Sequence, residues 1–298
     1  MEALAGLAPG PRAWVLNLDA ERELERPGAV TPSASLRERV VAMMPRLDAL
    51  LRPGDLIVDE GTPPGSAAGR AGLAWCPTPH ALRLLGRAGA TRPPAPPVEV
   101  LRRVNHRRFC AALGGMLPGA AFVEALAPLA AIVARPPPVG EAWLLKRPLG
   151  FTGRGQLPVS PGALSPSALT WASAALRPGD GLQVEPRVDR LDDFALHAWL
   201  APDGDLTVGQ PTRQLCSPLG VWQGTELAGD RLPDDERAAL AGALRQTADA
   251  LTAAGYAGPF NLDAFAWQDG AARRFLPRCE INARFSMGWA IGMGLARD

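Results

Sequence analysis

The chain has 298 residues, 47% of them hydrophobic, and carries 31 basic against 30 acidic side chains for a net charge of +1. That length can bury a sizeable core in two or three associated domains, which excludes disorder. The charge balance excludes a nucleic-acid stripe and a polybasic membrane anchor, so the expected partner is a small molecule.

Ala13–Leu18 is an apolar run that predicts a buried first strand, and Ser35 followed by Glu38 forms a capping box that opens a helix. Asp55–Asp59 predicts a second strand, and Leu73–Cys76 a third. This is a βαβ unit on a small parallel sheet, an α/β domain over residues 1–103 that ends after the stiff connector Pro93–Pro97. A helix is expected from Val104. After the turn Pro136–Pro138, the strand Ala142–Lys146 leads into Gly150-Phe151-Thr152-Gly153-Arg154-Gly155, ahead of another strand at Gln156–Val159. A Gly-rich turn between strands makes a flap whose amides can cover phosphates, and Lys146 lies on the strand entering it. No helical pattern and no Gly-Lys-Ser/Thr follows, so this is neither a dinucleotide fingerprint nor a P-loop.

Gln183–Val188 reads as a hinge and Asp192–Trp199 as a new strand. A long helix runs from Pro233 and Asp234 to Ala254, with acids in its first turn and Gly255 as its stop. Two strands follow, Asn261–Trp267 and Phe275–Asn282. The second ends in Glu280-Ile281-Asn282-Ala283-Arg284, where alternation puts Glu280, Asn282 and Arg284 on one face. Two oxygen donors beside a guanidinium suit a hard cation that carries phosphates. Asp269-Gly270 suggests a two-residue turn, but that register would set Asp263 opposite Leu276, about 13 Å from Glu280 at strand rise. A longer loop, from Gln268 to Arg274, is therefore expected, one that brings Asp263 opposite Glu280. A short turn would remove the three-ligand metal site. A last helix begins near Gly288, with its amino end expected toward the phosphates.

In order, Lys146, the glycine flap, the Glu185-Pro186 hinge, an acid at a strand start, Asp263 and Glu-x-Asn-x-Arg resemble the ATP-grasp superfamily over the last two-thirds of the chain. The resemblance implies an α+β nucleotide-binding part with nucleotide between two antiparallel sheets, a lid at 104–184 and a central and metal-binding part at 185–298. Residues 1–103 would then be a pre-ATP-grasp domain whose strand ends help bind the acceptor. Lys146, Gly150, Gly153 and Gly155 would hold phosphates, Glu185 and the backbone near Val188 would bind adenine, and Asp193 the ribose. Asp263, Glu280 and Asn282 would hold Mg2+, with Mn2+ as the alternative. Arg284 would contact the reacting phosphoryl or acyl group, with Lys146 assisting. Arg107 stands where the family commonly has a second nucleotide lysine, which changes the geometry of that contact.

The implied activity is ATP-dependent ligation of a small carboxylate and an amine through an acyl phosphate. The rival readings are a nucleotide-binding regulator without turnover and a phosphotransferase. His80, His106 and His197 share no ligand spacing, and Cys76, Cys110, Cys216 and Cys279 form no C-x-x-C pair, so a zinc site and a disulfide framework are not expected. His197 and Arg213 are weighed as cleft-facing or as plain structural polar residues. No basic leader and no apolar run of membrane-spanning length occurs, so a cytoplasmic protein is expected, with a homodimer as one assembly.

Overall fold

The structure, a computed structural model, describes residues 10–26, 38, 41–43, 47, 49–150, 155–177, 179–216 and 222–295. β1 (Arg12–Val15) runs parallel to both its neighbours, β2 (Leu56–Ile57) and β3 (Ala71–Ala74). All four β1 residues are buried, as befits a central parallel strand. α1 (Ala20–Glu25) follows β1, and α2 (Pro79–Arg87) follows β3 with Thr78 as its cap and Pro79 in its first turn. Asn17 joins the two strand ends: its Nδ2 donates to the Cys76 carbonyl at 2.8 Å and its Oδ1 accepts from the Cys76 N–H at 3.1 Å. Of the expected capping box only Glu38 is described, and Ser35 lies outside the described residues.

The helix expected from Val104 is instead a pair, α3 (Val98–Asn105) and α4 (Arg107–Ala112). They break at His106, whose backbone is extended and whose Nδ1 accepts from the Arg108 N–H at 3.1 Å. Position 103 falls inside α3. The second sheet has the order β4-β7-β5-β6, from β4 (Ala121–Val123), β5 (Ala142–Lys146), β6 (Gln156–Val159) and β7 (Leu182–Arg187), all antiparallel. α5 (Leu126–Val133) and α6 (Pro166–Leu176) pack on the face that carries Trp143, Leu145, Leu182 and Val184. Alternation sends Lys146, Gln183 and Glu185 to the opposite face.

The segment Gln183–Val188, read as a hinge, is mostly strand, because its apolar residues pair and pack. Val188 alone separates β7 from β8 (Asp189–Leu200), and there the chain passes from one sheet to the next. The third sheet has the order β11-β10-β8-β12-β13, with β9 (Leu206–Val208) also on β8. Its other strands are β10 (Thr212–Cys216), β11 (Trp222–Leu227), β12 (Gly258–Asp269) and β13 (Ala272–Asn282). α7 (Asp234–Ala253) buries Leu240, Leu244, Thr247, Ala248 and Leu251, one helical stripe, in a core shared with Phe194, Leu196, Leu262, Ala264 and Ile281. The opposite face of that sheet therefore carries Asp193, His197, Asn261, Asp263, Glu280 and Asn282.

The β12–β13 hairpin corrects the expected long loop. Its turn is only Gly270-Ala271, with Asp269 opposite Ala272 and Gly270 at φ +59°. Asp263 nonetheless lies opposite Glu280, because the register shifts by a bulge between Asp263 and Phe265: those two residues face Glu280 and Leu276. Pro277, with no N–H to give the ladder, sits in the bulge. Arg278 anchors it. Its Nη2 donates to the carbonyls of Leu113 (2.8 Å) and Gly114 (3.0 Å), and its Nη1 to Gln246 Oε1 (3.0 Å) and Thr247 Oγ1 (3.3 Å).

The last helix, α8 (Trp289–Gly292), has four residues, too short for the expected anion-binding terminus. Beyond β13 the Phe285 N–H donates to the Trp75 carbonyl at 3.0 Å, and the Phe285 ring packs between Trp14 and Trp289. This joins the third sheet to the first.

Replacing Arg278 by Leu should cost about 2–4 kcal/mol, since the Leu113 and Gly114 carbonyls lose their guanidinium donor in a half-buried setting. Urea denaturation of the variant against the native chain measures it.

Candidate nucleotide and metal site

The period of a strand brings the polar groups together. Asn261 and Asp263 point the same way on β12, and their partners across the hairpin are Asn282 and Glu280. Asp263 Oδ1 accepts from Asn261 Nδ2 at 2.7 Å and its Oδ2 from Asn282 Nδ2 at 3.0 Å. Burial, with the Glu280 charge next, pushes the Asp263 carboxyl up to about 7. Asn261 Oδ1 is buried with no donor. The Asp263 carboxyl, held only by two amides, and the orphaned Asn261 oxygen form a place short of positive charge, which a divalent cation would reverse. Among the described residues no three His, Cys, Asp or Glu side chains form a metal-binding group. The set Asp263, Glu280 and Asn282 has two carboxylates and an amide, and these hard oxygens fit Mg2+ that completes its shell with phosphate and water.

Cations stand around that face, each beside an acid. Arg284, 12% exposed, pairs with Glu21 of α1 through Nε at 2.6 Å and through Nη2, and its Nη2 also donates to Asn282 Oδ1 at 3.0 Å. Arg107, whose other reading is a solvated helix face, is 5% exposed. It reaches Glu280 Oε1 with Nη2 at 2.9 Å and the Arg147 carbonyl with Nε at 3.1 Å. Lys146 and Glu185 form a buried ion pair, and Gln183 Nε2 donates to Glu185 Oε2 at 2.7 Å. Glu185 thus faces Lys146, on the second sheet. Between α4, β7 and β13 a cavity of about 10 Å³ remains, lined by Leu117, Gln183, Glu185, Leu276 and Cys279 among others. It holds one water at most.

The other expected residues are placed as follows. Gly155, at φ +78°, closes the base of the flap where the Arg147 N–H donates to its carbonyl at 2.8 Å. Gly150 lies on the other arm, and Gly153 falls outside the described residues. Val188 is half-buried beside Leu117, Phe265 and Leu276. Asp193 lies opposite Phe265, and its Oδ1 accepts from Arg190 Nη1 at 2.6 Å. His197 shares the face of Asp263 but is enclosed by Gly288 and Gly292. It is 1% exposed with no partner at Nδ1, and burial holds its pKa down to about 3. Arg213 lies opposite Phe194, on the other face of the sheet, and pairs with Asp192 and Glu226.

Three polar residues were missed by the sequence reading. Asn261 and Gln183 each lie two positions before an expected acid, so the period of two could have found them. Glu21 carries no such signal, being 263 positions from Arg284.

The sequence matches no family model and no curated protein sequence. The fold does match solved structures. The N5-carboxyaminoimidazole synthetase from Staphylococcus aureus complexed with ADP is similar at a TM-score of 0.53 and 10% identity, over 100% of this chain and 81% of that one. The biotin carboxylase–β-γ-ATP complex from Campylobacter jejuni is similar at 0.54 and 11%, over 95% and 71%. The N5-carboxyaminoimidazole ribonucleotide synthetase from Thermus thermophilus is similar at 0.51 and 20%, over 92% and 71%. The chain has the ATP-grasp fold. No helix among the described residues is long and apolar enough to cross a membrane.

Lys146→Met should cost about 3–5 kcal/mol by leaving a buried carboxylate with only an amide partner, and Lys146→Met with Glu185→Leu should recover most of it. Chemical denaturation of the single and double variants decides this. The contribution of His197 to stability should fall in acid, against that of Asp263, whose raised value acts in the opposite sense below about pH 7. His197 is held neutral in the fold, so the unfolded chain binds more protons once the pH drops below its ordinary value of about 6.5, and the loss continues toward pH 3. His197→Leu should flatten that part of the dependence, read from denaturation midpoints between pH 8 and pH 4.

Proposed function

We propose that this chain is an ATP-dependent carboxylate-amine ligase that binds Mg2+ and ATP between the second and third sheets. The observation that carries this reading is the shared face of Asp263, Glu280 and Asn282, with Arg284 just past the strand bonded to Asn282, opposed to the Lys146 strand and flap base within an ATP-grasp fold. Structures of this fold from other organisms hold ADP or an ATP analogue, and one holds MgADP. Residues 1–103 would supply the acceptor side, 104–184 the lid, and 185–298 the metal and ribose side.

Asp263, Glu280 and Asn282 would hold Mg2+, which when bound would supply charge neutralisation for the nucleotide's phosphates. The protein's own part is positional and electrostatic. Lys146 and the amides at Gly150, Gly153 and Gly155 hold phosphate oxygens, with Arg107 adding a second cation. Glu185 and the Val188 backbone hold adenine, and Asp193 the ribose hydroxyls. Arg284 faces the group on which charge develops when the substrate carboxylate attacks the γ-phosphorus, releasing ADP and leaving an acyl phosphate. The amine then attacks the acyl carbon and phosphate departs. No protein nucleophile is required.

A screen for ADP release over carboxylate and amine panels should find a pair that turns over. Glu280→Gln should lower that rate by about two orders of magnitude or more. Unchanged turnover in Glu280→Gln would contradict the metal role. Metal-dependent nucleotide binding with no ADP from any pair would favour a regulator, and a phosphorylated product without free phosphate would favour a phosphotransferase.

A further inference from the structure

Arg107 and the proposed metal compete for one carboxylate. Glu280 Oε1 is held at 2.9 Å by Arg107 Nη2, and that guanidinium is 5% exposed. Arg107 is fixed from behind as well: its Nε donates to the Arg147 carbonyl at 3.1 Å, and its backbone N–H donates to the Pro148 carbonyl at 3.0 Å. Both contacts fall just after Lys146, at the root of the flap. The third nitrogen, Nη1, is buried with no acceptor. An arginine so placed has two stable arrangements. It can keep Glu280, or it can turn its flat donor edge to an anion with several oxygens, such as a phosphate.

A free divalent ion that took Glu280 would strand the guanidinium, buried and without its carboxylate, at a cost that offsets part of the metal's gain. A metal that arrives with phosphates brings the replacement acceptor, and Nη1 is already free to receive it. A lysine at this position has a single point of charge and cannot hold the Arg147 carbonyl and Glu280 together in the same way. Glu185 stands within electrostatic range of Arg107, so the guanidinium keeps a negative neighbour while it exchanges partners.

Resting on the nucleotide reading above, we propose that Arg107 makes metal binding conditional on nucleotide: it withholds Glu280 from the free divalent ion and releases it to the metal–nucleotide complex. The test is Mn2+ binding without nucleotide, followed by the loss of the free-ion electron paramagnetic resonance signal. It is run on the native chain, Arg107→Gln and Arg107→Lys, with Mg·ADP binding measured by calorimetry on the same samples. Arg107→Gln should bind free Mn2+ roughly tenfold more tightly than the native chain, and adding Glu280→Gln should abolish the gain. Arg107→Lys should fall between them, and it carries the test if circular dichroism finds the glutamine variant unfolded. Equal free Mn2+ affinity in the native chain and in the folded variants, with Mg·ADP still bound, would overturn this inference and leave the nucleotide reading standing. A native chain that binds neither Mg·ADP nor Mn·ADP would overturn both.

Discussion

The candidate site depends on one irregularity in a hairpin. A regular ladder grown from the Gly270-Ala271 turn would carry Glu280 past Asp263, and the two carboxylates would not share an ion. The bulge at Pro277–Cys279 absorbs the extra residues of β13 and returns Glu280 and Asn282 to the level of Asp263 and Asn261. Proline makes leaving the ladder cheap, because it has no N–H to lose there. Arg278 makes the departure specific, by committing its guanidinium to the end of α4 and to α7. The bulge is therefore bound to both the helix that carries Arg107 and the helix that supports the core of the third sheet.

Around this hairpin the charges are arranged in matched pairs. Arg107 with Glu280, Lys146 with Glu185 and Arg284 with Glu21 are all at least half withdrawn from water, so none could stand alone without a cost of several kcal/mol. Each pair sets opposite charges side by side where water is largely excluded. Exchange of partners then needs a ligand with both signs, and a dication carrying phosphates has them. The same arrangement links distant parts of the chain. Glu21 belongs to the parallel sheet's first helix, Arg284 follows β13, and Arg284 also donates to Asn282. The Trp14, Phe285 and Trp289 cluster gives that junction its apolar support.

Much of the fold was legible because its periods are strong. The β1 and β5 runs, the acids and stop of α7, and the alternation at Glu280-Ile281-Asn282 each state their element locally. Errors arose where neighbouring signals conflict. The prolines before Val98 hid the start of α3, since Pro97 serves as a helix boundary and reads equally well as linker. Glu185-Pro186 looked like a break, yet Pro186 is tolerated inside β7. Asp269-Gly270 signalled a short turn that was set aside to satisfy the metal geometry, and the turn falls one residue later, at Gly270-Ala271. A bulge satisfied both requirements, and only Pro277 hinted at it.

The sequence by itself determined which residues could share a strand face, because side-chain direction alternates with a fixed period and needs no tertiary information. It thereby grouped Glu280 with Asn282 and placed Lys146 before a glycine-rich segment, whereas Arg284, expected on the same strand face, lies past the end of β13 and reaches Asn282 only through its side chain. The tertiary structure alone decided partners across large separations: Glu21 for Arg284, Glu280 for Arg107, and the α4 and α7 carbonyls and side chains for Arg278. Such pairings are fixed by how sheets and helices pack and by where a strand leaves its ladder. Those are sums over many weak, distant contacts, and no local window of the chain contains them.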